Sequence, residues 1–222
     1  MGAVADAWTW LTTRSNWSGE SGAWHRLAEH LYVSGVAFGL ACLIALPVAL
    51  WLGHLGRGGA LAVNLSNTGR AIPTFAVLAL LMLTPLRTHG DVPTVIALVL
   101  FAVPPLLTNA YTGMREVDRA VLEAARGMGM SGRQLFVRVE LPLAYPLIMT
   151  GVRSAAVQVI ATATLAAMTG GGGLGRIITA GFNTYDTAQV VAGALLVAVL
   201  ALLVEVVLVA ADRLLSPLRK TT

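Results

Sequence analysis

Five stretches of this chain carry no charged residue or only one, and no other feature constrains its fold as strongly. Residues 31–53 and 92–114 contain no Asp, Glu, Lys or Arg; 58–86 holds only Arg70, 141–175 only Arg153 and 187–211 only Glu205. About 20 apolar residues cross a bilayer, and an unpaired ion in hydrocarbon is costly. Each stretch is therefore a candidate span, and each must be helical, because backbone in lipid has to satisfy its own N–H and C=O groups. Hydrophobic residues make up 56% of the 222 and charged residues only 12%, about half the charged fraction of a soluble domain. The expectation is an all-α integral membrane bundle of five to six transmembrane helices with short loops, which excludes a water-soluble enzyme.

Pro47, Pro73 and the pair Pro104–Pro105 fall inside these stretches. They remove ladder hydrogen bonds, so the helices should be irregular, with polar crevices between them. Lys and Arg in the loops set the orientation. Arg57, Arg115, Arg119, Arg126, Arg133, Arg138, Arg213, Arg219 and Lys220 fall on one side, against Arg14, Arg26, Arg87 and Arg176 on the other. The richer side faces the cytoplasm, with the N-terminus outside and the C-terminus inside. The chain then divides into an extracytoplasmic segment, 1–30, a membrane domain, 31–212, and a cytoplasmic tail, 213–222.

The first 30 residues lack the apolar core of a cleavable signal peptide and hold Trp8, Trp10, Trp17 and Trp24, four of the five tryptophans. Trp24, Leu27, Ala28 and Leu31 share a face at helical spacing. That suits an amphipathic helix at the headgroup level, either an aromatic anchor or a docking surface for an external partner. Cys42 is the one cysteine, and His25, His30, His54 and His89 fall at no metal-ligand spacing, so no metal site is expected. The net charge of +4 comes without a basic run, which argues against nucleic acid as a partner.

The polar loop 115–142, between the third and fourth spans, is the most informative segment. Asp118 is placed to cap a short helix, and Gly127 or Gly129 to end it in a left-handed turn. Ser131 and Gln134 have capping-box spacing for a second helix, 135–139, that stops before Pro142. Leu135, Phe136 and Val139 would then leave apolar surface for a partner protein to cover.

Glu123-Ala124-Ala125, followed by Gly129, Val139 and Leu141-Pro142, resembles the EAA loop of binding-protein-dependent ABC importer permeases, with Val139 in place of the usual Ile. The resemblance runs from about residue 27 to 212 and implies the type I ABC importer permease fold. It further implies that Glu123, Ala124, Ala125, Gly129, Leu141 and Pro142 form the element that couples to a cytoplasmic ABC ATPase dimer. A second permease chain, identical or homologous, an extracytoplasmic substrate-binding protein and the lipid of a bacterial cell membrane complete the implied partners. ATP and Mg²⁺ would sit on the ATPase. The run Gly170-Gly171-Gly172-Gly173-Leu174-Gly175 lacks the Gly-Lys-Ser/Thr ending of a P-loop, so no cofactor and no catalytic residue is expected in this chain.

Arg70-Ala71-Ile72-Pro73-Thr74, Tyr111 to Asp118, Glu123 to Ser131 and Ala163-Thr164-Leu165-Ala166-Ala167 are similar to the osmoprotectant branch, the permeases for glycine betaine, carnitine, choline or proline betaine. The glycine run is shared with methionine-type permeases, so a methionine or other amino-acid importer stays open. A non-transporting membrane scaffold or a passive channel is the alternative of another class.

Polar residues at membrane depth mark candidate translocation-path positions: Asn64, Asn67, Arg70, Pro73 and Thr74 in the second stretch, with Ser66 and Thr68 beside them, and Gln158 and Thr162 in the fourth. Packing between helices is the competing role for each. Gly170, Gly171, Gly172 and Gly173 are expected outside, as a gate, a binding-protein contact or a plain surface turn. Arg153 and Glu205 are expected near the cytoplasmic ends of their spans, reaching for the interface. The aromatics of the spans are dispersed, with no cage for a quaternary ammonium ion, so tight recognition is expected of a separate binding protein.

Overall fold

In a computed structural model, residues 2–59, 63–64, 68 and 72–216 are described. Helix α1 (Ala3–Thr12) and a 3₁₀ turn (Arg14–Trp17) lead into α2 (Ala23–Leu55). After α3 (Thr74–Met82) and a short 3₁₀ turn comes α4 (Val92–Arg115). The polar loop holds α5 (Arg119–Gly127) and α6 (Gly132–Leu135), which passes through a π-helical turn (Phe136–Glu140) into α7 (Leu141–Ala163). A 3₁₀ turn (Thr164–Thr169), α8 (Gly175–Thr184) and α9 (Thr187–Leu215) complete the bundle.

Lipid offers no hydrophobic drive between helices, so close packing must supply the association. The sequence provides for it with small residues at helical spacing. Ala37, Ala41, Ala45 and Ala49 recur every fourth residue on one face of α2, none more than 1% exposed. They lie in one core cluster with Leu98, Ala102, Leu106, Ala110 and Met114 of α4. A Cβ at Gly53 would fall 2.4 Å from the Met114 Cβ, and one at Gly151 of α7 would fall 2.9 Å from the Pro105 carbonyl oxygen. The backbones of α2, α4 and α7 therefore meet at positions where only glycine fits. Leu203 and Val207 of α9 are exposed, as an outward face at lipid depth requires.

Four helical segments among the described residues are long and apolar enough to cross a membrane: Ala23–Leu55, Val92–Arg115, Gly132–Thr169 and Thr187–Leu215. The expected second span falls partly outside the described residues, and its described helix, α3, has 9 residues. The first span starts at Ala23, earlier than the charge-free stretch that begins at residue 31, because Arg26 and Glu29 pair with each other at 2.8 Å within its first turns. Trp24 and Leu31, read as part of an interfacial helix, are exposed on that same long helix. α1 folds back against α9, and the Trp17 ring closes the hook, its Nε1 donating to the Leu11 carbonyl at 2.6 Å and its face 5.0 Å from Trp24.

Two further expectations are corrected. The second helix of the polar loop does not stop before Pro142. The π turn just ahead of Pro142, in which the Leu141 N–H reaches back to the Phe136 carbonyl, lets the helical run pass a proline that has no N–H to give, so α6, the π turn and α7 run on continuously, and Leu135, expected to be uncovered, is 2% exposed within the chain itself. Arg153 and Glu205 do not reach separately for the interface; they pair with each other across α7 and α9.

Candidate functional site

The polar loop is built by its caps. Asp118 Oδ1 accepts the Ala120 N–H at 2.8 Å and starts α5, a cap that contributes about 1 kcal/mol. At the other end Gly129 N–H donates to Arg126 O and Met130 N–H to Ala125 O, with Gly129 at φ +81°. That bond pair is a Schellman motif, and its left-handed position is open to glycine without strain. Ser131 and Gln134 then close the capping box, Ser131 N–H donating to Gln134 Oε1 at 2.8 Å. α5 is strongly amphipathic: Ala125 is buried, while Glu123 and Ala124 are exposed beside Gly129. A negative charge, a methyl group and a glycine thus stand together on an uncovered face of a short, firmly capped helix.

This element is tied to the bundle at a place that sequence reasoning missed. Glu140, the last residue of the π turn, is 4% exposed, and its Oε2 meets His54 Nδ1 of α2 at 2.5 Å. The Phe136 ring packs edge-on against His54 with centroids 5.3 Å apart. The π turn that carries Phe136 and Glu140 is thereby fastened to the C-terminal end of α2, while Leu141 and Pro142 begin α7, Leu141 packing against the main core. The only sequence signal was two titratable residues, 86 positions apart, each at the margin of an apolar stretch.

Midway along α7 and α9, the Arg153 Nε donates to Glu205 Oε1 at 3.0 Å and a second guanidinium N–H donates to the same oxygen. The pair borders an open groove of about 440 Å³, whose α7 wall also presents Thr150, Ser154 and Gln158. The groove gathers one of the expected path residues, Gln158. Thr162 is half-buried farther along the helix and does not line it. Asn64 is exposed, and Pro73 and Thr74 begin α3 away from the groove. Asn67 and Arg70 lie outside the described residues.

At the opposite end of α2 from the polar loop, the glycine run is clasped rather than loose. The Gly173 N–H donates to Glu29 Oε2 at 2.8 Å and the Leu174 N–H to His30 Nδ1 at 3.3 Å. His30 is 1% exposed, and with Nδ1 accepting, its Nε2 carries the proton and donates to the Ile160 carbonyl at 2.9 Å. Gly170 and Gly173 have φ of +93° and +86°, and a Cβ at Gly172 would lie 2.6 Å from Glu29 Oε2. Gly171 is held by a backbone bond to Ala166 at 2.8 Å. Each glycine serves a left-handed turn or a close approach, which a flexible linker would not need. Among the described residues, no three His, Cys, Asp or Glu side chains converge to hold a metal ion.

Residues 42–220 match the family described as "Binding-protein-dependent transport system inner membrane component". The chain is similar to the glycine betaine/carnitine/choline transport system permease protein OpuCB of Bacillus subtilis, 37% identical over 87% of this chain and 88% of that protein. It is 38% identical to the choline transport system permease protein OpuBB of the same organism, over 87% of this chain and 88% of that one. It is 33% identical to the osmoprotectant import permease protein OsmY of Salmonella typhimurium, over 85% and 80% of the two chains. Among solved structures, an inward-facing MetNI methionine ABC transporter chain superposes with a TM-score of 0.74 at 21% identity, covering 85% of this chain and 94% of that one. That likeness carries the fold, a type I ABC importer permease bundle, and the sequence matches carry the family: this multi-pass membrane protein belongs to the inner-membrane permease components of binding-protein-dependent transport systems.

Proposed function

We propose that the chain is the membrane subunit through which an ATP-driven importer passes small osmoprotectants of the glycine betaine, carnitine and choline type into the cell. The observation that carries this reading is likeness to permeases bearing those substrate names, sustained at 37–38% identity across 87% of the chain. In this reading α5 docks on a cytoplasmic ABC ATPase dimer, with Glu123, Ala124, Ala125 and Gly129 at the contact and Leu141-Pro142 passing the movement into α7. ATP and Mg²⁺ are held by that partner, and this chain has no catalytic residue of its own. A second permease chain completes the pathway, and an extracytoplasmic binding protein delivers cargo near Gly170–Gly173. The N-terminus is outside and the C-terminus in the cytoplasm, as the distribution of Lys and Arg favours.

The test is ATP-dependent accumulation of labelled glycine betaine and choline, with methionine as control, in cells lacking other uptake systems, with this chain present or deleted among its co-expressed partners. Betaine or choline uptake that requires the chain supports the reading. Methionine uptake alone would transfer the cargo and keep the machinery, and chain-independent uptake of all three would refute the assignment.

A further inference from the structure

The polar groove between α7 and α9 asks for an occupant. Arg153 lies twelve residues into the 23-residue α7, and Glu205 ten residues before the end of the 29-residue α9. At 1.5 Å per residue both stand about 15 Å or more from either end of their helices. An ion pair at that depth has no place against hydrocarbon, so this face must meet protein or water. Yet the chain does not bury it: the two side chains are 33% and 30% exposed, on a groove of about 440 Å³. Both N–H groups of Arg153 that reach Glu205 converge on Oε1, which leaves Oε2 without a hydrogen-bond partner among the described residues, and part of the guanidinium fork likewise. Ser154 and Gln158 add neutral hydrogen-bonding groups to the same wall.

We infer that this groove is a transient cargo subsite for small zwitterions, in which Arg153 receives the carboxylate of the solute and Glu205 faces its positively charged nitrogen. A guanidinium and a carboxylate held side by side, each with unused capacity, present the complement of a molecule that carries one charge of each sign. Arg153 and Glu205 offset each other, with the Asp212 carboxylate also acting on Arg153 from farther along α9, and a zwitterion enters without changing the net charge of the membrane interior. A monovalent cation such as choline engages Glu205 alone. The subsite deepens the osmoprotectant reading and rests on it.

The experiment uses the complete transporter in proteoliposomes, with binding protein saturated by either glycine betaine or choline, and measures the transport rate of each with ATP hydrolysis alongside. Arg153→Gln should reduce betaine transport by about tenfold or more, the loss of a charge-assisted hydrogen bond, and reduce choline transport far less. Glu205→Gln should depress both. The charge-swapped pair Arg153→Glu with Glu205→Arg keeps the salt bridge and hence assembly, but inverts the subsite, and should hydrolyse ATP while carrying betaine poorly. Proportional loss of both cargoes in Arg153→Gln, or betaine transport at the wild-type rate in the swapped variant, would overturn the subsite and leave the importer reading intact. A wild-type complex that carries neither cargo would remove both.

Discussion

The link between Glu140 and His54 makes a prediction with a built-in asymmetry. The Glu140 side chain is 5% exposed and that of His54 26%, so the two partners are not equally free to survive alone. Removing His54 strands a buried carboxylate against Phe136, and breaking a buried pair from one side costs about 3–5 kcal/mol. Converting Glu140 to glutamine keeps an amide that can still hydrogen-bond the His54 ring, and the imidazole, uncharged in its neutral form, also has access to water. The loss is then at most that of one charge-assisted hydrogen bond, about 1.5–3 kcal/mol and at the lower end of that range because His54 is a quarter exposed. His54→Ala should therefore destabilise the chain by about 3 kcal/mol, roughly twice the effect of Glu140→Gln. The double variant His54→Ala with Glu140→Gln should lose less than the sum, since it removes the stranded charge, with a coupling of at least about 1 kcal/mol. Denaturant titration of the assembled transporter, followed by tryptophan fluorescence, measures all three. A Glu140→Gln variant as unstable as His54→Ala, or strict additivity in the double, would refute the reasoning.

Glu123→Arg or Gly129→Trp should leave membrane insertion intact and abolish copurification with the ATPase; undiminished transport by either would remove the coupling role of α5. Asp118→Ala should cost about 1 kcal/mol at the start of α5, visible as faster amide exchange at Ala120 with little change in α4. Gly172→Ala places a Cβ 2.6 Å from Glu29 Oε2 and should spring the outer clasp, so that a cysteine introduced at Thr169 labels faster from outside; unchanged labelling would mean the loop relaxes around the methyl group. Gly151→Leu collides with Asn109 and the Pro105 carbonyl and should prevent α4 and α7 from packing, read as loss of folded protein in the membrane.

Helices and the capped loop were legible because each leaves a local trace. Charge-free length marks a span, and Asp118, Ser131, Gln134 and Gly129 announce their caps within four residues of the groups they satisfy. The pairings were not legible, because they are made between distant elements. Arg153 and Glu205, 52 positions apart, each looked like a lone ion bound for an interface, and only the packing of α7 on α9 brings them together. Glu29 and His30 read as ordinary loop residues until their contacts with Gly173 and Leu174, 144 positions away, are seen. The start of α2 was misplaced for the same reason: counting charges treats Arg26 and Glu29 as two obstacles, whereas a pair spaced three residues apart on a helix neutralises itself. Pro142 misled in the other direction, as a terminator that the π turn directly ahead of it accommodates.

The hook formed by α1 has a consequence for the order in which the molecule is made. α2 and α4 offer each other their alanine faces as soon as both have left the ribosome, but α1 rests on α9, which leaves the ribosome long after it. Until α9 enters the bilayer, α1 lacks the helix it rests on, and the segment is tied to the bundle mainly by the contact of Trp17 with Trp24. Closure of the hook is thus a late event in biogenesis, a mark that α9 has been threaded, and limited proteolysis of the α1 segment would distinguish molecules with α9 in place from those arrested before it.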